Sequence, residues 1–191
     1  MKEIILVRHA KVDIESYEPI FASEMAAWVE AYDKAPIDAE SKPSQEVLHA
    51  IKAADILLTS RLPRTIASAA LTGKGIDASE ACFNEAAVPV VHIPFMKLSP
   101  RSWLSVLRFL LLAGLGNKDA SLQSSKKRAK EATIRLLQYT QTCERVVLIG
   151  HGGMNWLIKK ELLKQGWQLS GKPSHQNWGM TRLVMPRKVQ S

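Results

Sequence analysis

The chain has 191 residues, 46% hydrophobic and 23% charged, an ordinary globular balance with enough length for one sizeable core. Two cysteines, Cys82 and Cys143, are too few for a disulfide framework, and no basic-then-apolar leader precedes the first strand. A cytoplasmic protein with reduced, packing cysteines is therefore expected. The net charge of +8 suits an anionic partner, but no helix-turn-helix, aromatic RNA-binding strand or zinc-finger spacing points to nucleic acid.

In chain order, Lys2 to Lys11 reads KEIILVRHAK. Ile4 to Val7 form a continuous apolar run, the pattern of a strand buried on both faces, and it stops at Arg8-His9. Residues 12–21 read as an irregular acidic loop. Ser23 to Lys34 has the spacing of an amphipathic helix, with apolar Met25, Ala26, Trp28, Val29 and Tyr32, and Pro36 ends it. Pro43-Ser44 opens a second helix running to Ala54. Ile56 to Thr59 is a strand that runs into a helix over Arg64 to Leu71. Ala81 to Pro94 holds a short strand and then an extended, proline-punctuated segment. Pro100 to Gly116 is a very apolar helix whose Arg101, Ser105 and Arg108 share one narrow face. Its run from Phe109 to Gly116 predicts burial in the monomer, with a homodimer contact or a hydrophobic substrate wall as the alternatives; it is too short and too interrupted to span a membrane. Ser121 to Thr142 is a long amphipathic helix with Ala129, Ala132, Ile134, Leu136 and Leu137 inward. Val146 to Ile149 is a second buried strand, followed by Gly150-His151-Gly152-Gly153 and a helix from about Met154 to Gln165. Met180 to Met185 closes the chain as an edge strand. Strands alternating with helices imply an α/β fold: three layers, α/β/α, around a mostly parallel sheet. One domain over 1–191 is expected, with a cap segment at about 86–117.

Two core strands each deliver a histidine at the carboxyl end, the edge at which open α/β sheets bind ligands. Arg8 forks naturally onto phosphate oxygens, and His9 can serve as nucleophile or base near neutral pH. Arg64 is a second permanent donor, and His151 stands on the opposite rim. No His, Cys and Asp cluster has metal-ligand spacing, so no metal and no other cofactor is expected.

These stretches resemble the three motifs of the histidine phosphatase superfamily, the phosphoglycerate-mutase-like fold. Arg8-His9-Ala10 matches Arg-His-Gly with alanine in the third place. Ser60, Leu62, Arg64, Thr65, Ser68 and Ala69 match the second motif, and His151-Gly152-Gly153 the third. The resemblance implies a phosphomonoesterase in which His9 becomes phosphohistidine, Arg8 and Arg64 hold the phosphate, and His151 stabilises the transferring group. It also implies that Glu85, beyond the second-motif arginine, is the general acid, with Asp13 or Glu15 next in line. Lys11, Arg61, His92, Gly152 and Asn155 are candidates for further substrate contact; Asn155 stands where many relatives carry arginine. The continuation Lys11-Val12-Asp13-Ile14 departs from that of the cofactor-dependent mutases. A phosphohistidine-protein phosphatase, a mutase and a non-catalytic phosphate-binding or partner-binding scaffold are the alternatives to a phosphorylated small molecule as substrate.

Overall fold

A computed structural model describes residues 1–14, 18–86, 93, 95–112 and 120–186, with the backbone alone for 108–112 and 120–122. In chain order the elements are β1 (Glu3–Arg8), β2 (Ile20–Phe21), α1 (Met25–Lys34), α2 (Gln45–Lys52), β3 (Ile56–Ser60), α3 (Pro63–Ala70), β4 (Ala78–Glu80), β5 (Lys97–Leu98) and α4 (Pro100–Leu112). They continue with α5 (Ala120–Thr142), β6 (Arg145–Gly150), α6 (Gly152–Lys164), β7 (Gln168–Leu169) and β8 (Met180–Val184). Six strands form one sheet in the order β4-β3-β6-β1-β8-β7, and β2 pairs separately with β5. The first four of the six run parallel; β8 is antiparallel to β1, and β7 to β8.

The apolar run of β1 is central because both its faces are covered. Ile4 and Leu6 join Leu58, Val146 and Leu148 against Ala129, Ala132 and Leu136 of α5 and Met154, Ile158 and Leu162 of α6. Ile5 and Val7 join Leu57, Val147 and Ile149 against Val47 and Ile51 of α2 and Ala69 of α3. Each of the four β1 side chains is at most 1% exposed, and burial of such a side chain contributes ~1.5–3 kcal/mol. A third, smaller cluster joins α1 to α4 through Met25, Trp103 and Leu107. Trp103 and Leu107 are fully covered within the chain. The rest of the apolar run, from Phe109 to Gly116, lies outside the described side chains.

Three expectations are corrected. Met180–Val184 is no edge strand: it lies between β1 and β7, whose two residues are too few to show a period. The strand after α3 is Ala78–Glu80, whereas Ala81–Phe83 forms a single 3₁₀ turn. Ile134 points outward at 57% exposure; five positions beyond Ala129, it sits about 140° round the helix from the buried stripe. Both cysteines are free and half-buried against the first core cluster. Burial, reinforced by Glu80 and Glu131, pushes the Cys82 thiol up to about 11. Among the described residues no helix is long and apolar enough to cross a membrane.

Candidate active site

The strand register sets the site. Arg8, the last residue of β1, lies opposite Gly150, the last of β6, and the His9 N–H donates to the Gly150 carbonyl at 3.0 Å. His9 and His151 therefore leave neighbouring strands at the same level, with ring centroids 5.3 Å apart. Glycine at position 150 makes room for Asn155: a Cβ would lie 2.4 Å from its Oδ1, so that side chain would have to shift. Asn155 is in turn tied back by its Nδ2, which donates to the Val7 carbonyl at 3.1 Å. The next strand over, β3, ends at Ser60, whose Oγ lies 2.7 Å from His151 Nε2. Leu62-Pro63 then start α3, with proline in its first turn, where no amide donor is needed. That turn carries Arg64 back toward the strand ends.

His9 is 1% exposed, and its ring is oriented from both sides. Nδ1 lies 2.6 Å from the Ala10 carbonyl oxygen. A carbonyl only accepts, so Nδ1 carries the proton. Nε2 then bears the lone pair, and it accepts from Arg64 Nε–H at 3.3 Å. Burial holds the His9 imidazole well below the ordinary histidine value of 6.5; His151, Arg64 and then Arg8 act in the same direction, against the opposing bond to Ala10. The ring is thus neutral near pH 7, the state a nitrogen nucleophile requires. The same shift makes stability depend on pH. Between the lowered value and 6.5 the unfolded chain binds the extra proton, so the contribution is complete above 6.5 and is lost as pH falls through the folded-state value. Denaturant midpoints measured from pH 7 down to pH 5 should fall more steeply for wild type than for His9→Gln. Parallel slopes would count against a neutral, buried His9.

Asn177 fastens the turn that follows β1. Its Nδ2 donates to the carbonyls of His9 and Ala10 at 3.0 and 3.1 Å, while the Ala10 N–H donates to Ser68 Oγ at 2.8 Å. Arg8 Nη1 donates to the His175 carbonyl at 3.0 Å. Gly152 lies against the Arg8 side chain, 3.6 Å from where its Cβ would stand. Glu85 approaches from the far side of the site. Its Oε1 accepts from the Ala86 and Met154 amides at 2.9 and 3.0 Å, the second at the N-terminus of α6. A Cβ on Gly153 would come within 2.8 Å of that oxygen, so glycine there makes the approach feasible.

Helix α1 contributes three residues to the site: Trp28 and Tyr32, which sequence reasoning leaves as packing, and Asp33, which it does not single out. Asp33 Oδ1 lies 2.5 Å from Arg64 Nη1, a pair in which the arginine is 2% and the aspartate 37% exposed. Tyr32 sits edge-on to His9 at 6.4 Å and beneath the Arg64 guanidinium at 5.2 Å. Trp28 stacks on Tyr32 at 5.0 Å. Only Trp28 and Tyr32 had a sequence signal, their i, i+4 spacing on the helix's inward face.

Arg8, His9, Arg64 and Glu85 line one small cavity of about 30 Å³ together with Trp28, Tyr32 and Asp33. Beside it opens a cleft of about 630 Å³ that Lys11 helps to line. Arg61 is exposed, its amide donates to Asn84 Oδ1 at 3.0 Å, and it lines neither space. Asn155 and Gly152 lie behind Arg8 rather than in front of it. His92 and Glu15 lie outside the described residues.

No protein-family model and no curated protein matches the sequence. Solved structures do match in shape. Phosphoserine phosphatase from Entamoeba histolytica superposes with a TM-score of 0.58 at 16% identity, over 96% of this chain and 91% of that one. A mycobacterial glucosyl-3-phosphoglycerate phosphatase gives 0.58 at 14% identity, over 96% and 93%. An open reading frame of Mycobacterium tuberculosis gives 0.55 at 16% identity, over 84% and 79%. At these identities the likeness establishes the fold alone: the chain has the phosphoglycerate-mutase-like α/β fold.

Proposed function

We propose that the protein is a phosphomonoesterase that passes the phosphoryl group through Nε2 of His9. The observation that carries this reading is a neutral, doubly oriented imidazole on the wall of a cavity that Arg8 and Arg64 also line, with its lone pair toward Arg64 and the His151 ring beside it. The phosphoryl group needs a nucleophile in line and positive donors around its equatorial oxygens. His9 Nε2 attacks phosphorus, the P–O bond to the alcohol breaks, and Glu85 supplies the proton to the leaving oxygen. Water then attacks phosphorus, the N–P bond breaks, and Glu85 takes the proton from the water. Glu85 Oε1 already holds two amide donors, so the proton in transit belongs on Oε2. The test is hydrolysis of p-nitrophenyl phosphate and of a set of phosphorylated metabolites by the purified protein. No turnover of any of them would overturn the reading.

An arriving phosphate has to displace two partners of Arg64. Without ligand, its Nε faces His9 and its Nη1 faces Asp33. Phosphate draws these donors to itself, which frees the Nε2 lone pair for attack and leaves the Asp33 carboxylate beside a like charge. Such proximity costs ~1 kcal/mol or more. Asp33→Asn should therefore tighten inhibition by inorganic phosphate about fivefold. Weaker inhibition in the variant would instead mark Asp33 as a residue that holds Arg64 in place.

A further inference from the structure

Arg64 reaches the cavity from the first turn of α3, yet two of the groups that hold its guanidinium come from α1. Its Nη1 faces Asp33 Oδ1 at 2.5 Å and its Nε faces His9 Nε2 at 3.3 Å. Its central carbon lies over the Tyr32 ring, 5.2 Å from the centroid. That separation is within the ~6 Å at which a guanidinium is drawn to the negative face of an aromatic ring. The Arg64 side chain is 2% exposed, so water screens the attraction little. Trp28, one helical turn before Tyr32, stacks on it with centroids 5.0 Å apart and planes 25° from parallel. The stack fixes the plane of the Tyr32 ring, and both rings line the cavity with Arg64.

The three contacts ask different things of the guanidinium. The bonds to Asp33 and His9 each occupy an N–H that a phosphate oxygen also requires, and an arriving phosphate displaces both. The attraction to Tyr32 occupies none, because the ring acts on the charge as a whole. It therefore persists while the donors change partners. Without the ring, the free side chain could settle in any orientation that keeps Asp33, a partner 37% exposed, whereas the phosphate-bound side chain could not relax in this way. Loss of the ring face consequently weakens binding instead of cancelling between the two states.

We infer that Tyr32 is a positioning residue: its ring face, braced by Trp28, holds the Arg64 guanidinium at the cavity while its hydrogen bonds pass from Asp33 and His9 to phosphate. The inference rests on the phosphomonoesterase reading for its ligand. Because the ring holds Arg64 alike in the substrate complex and in the transition state, its loss belongs in KM rather than in kcat.

The test is calorimetric titration with inorganic phosphate, which needs no turnover. It compares wild type, Tyr32→Phe, Tyr32→Leu and a protein carrying trifluorophenylalanine at position 32. Fluorination keeps the shape of the ring and drains its face of electron density, so it removes the attraction with little change in packing. Tyr32→Phe should bind phosphate within about twofold of wild type, and the leucine and trifluorinated proteins about fivefold more weakly, the worth of one cation–π contact. In hydrolysis of p-nitrophenyl phosphate the same two proteins should show that loss in KM, with kcat changed by less than about twofold. Denaturant midpoints check the folds, and the trifluorinated protein, closest in shape to Tyr32→Phe, decides the matter if the leucine variant is unfolded. Equal phosphate affinity of the trifluorinated protein and Tyr32→Phe would overturn the inference. So would a loss in Tyr32→Phe as large as in the others, which would assign the role to the hydroxyl, or a loss confined to kcat. The expected order of affinities without hydrolysis by any form would uphold the positioning role and overturn the phosphatase reading.

Discussion

Replacing His9 by alanine should lower kcat for p-nitrophenyl phosphate on the order of 10⁴-fold or more, the scale on which loss of a covalent nucleophile acts. Wild type quenched in mid-turnover should carry a phosphate on His9 that is labile in acid and stable in alkali, as a phosphoramidate is. The expectation follows from the geometry. Nδ1 is committed to the Ala10 carbonyl, so Nε2 is the nitrogen available to phosphorus, and burial keeps the ring neutral. His9 is itself part of the packed interior, so the variant also leaves a cavity. Its fold should be checked by denaturation and by binding of inorganic phosphate, which Arg8 and Arg64 still supply with donors. A well-folded His9→Ala protein that kept most of its activity would assign the nucleophile elsewhere.

Glu85→Gln should slow hydrolysis of alkyl phosphates by about 10²- to 10⁴-fold, the usual worth of a general acid. It should leave p-nitrophenyl phosphate, whose leaving group needs no proton, much less affected. Glutamine keeps the oxygen that accepts from the Ala86 and Met154 amides, so the side chain stays anchored at the start of α6 while the transferable proton is lost. Equal losses on both substrates would remove Glu85 from the role. Asp13 is then the candidate the sequence offers next, and Asp33 the carboxylate that lines the cavity itself.

The parts of the site at the ends of strands were legible because a buried strand writes its own signature. Ile4–Val7, Ile56–Thr59 and Val146–Ile149 are apolar runs, and where each stops a polar group must face the ligand edge. The arrival of α1 was not legible. Its pattern reports an apolar face without saying what that face covers, and the Asp33–Arg64 pair joins groups 31 positions apart through tertiary packing alone. The strand Ala78–Glu80 carries the side chains of a loop, and it is a strand because β3 offers it hydrogen bonds. Likewise β7 is made by its partner β8 rather than by its own two residues.

The parallel arrangement of β3, β6 and β1 also bears on how the protein acquires its site. Parallel neighbours cannot be joined by a tight turn; β1 meets β6 only after the whole intervening chain has been laid down, and Glu3 pairs with Arg145 in that register. Contacts of such long sequence separation have their loop entropy lost before they form, which slows folding and makes it cooperative. No local fragment holds His9, Arg64 and His151 together, so a partly folded chain lacks the candidate site. Any anion that bridges these strand ends is consequently linked to unfolding of the entire sheet, and it stabilises the molecule as a whole by mass action. Under the proposed function, a phosphorylated metabolite bound there would act as a folding ligand as well as a substrate.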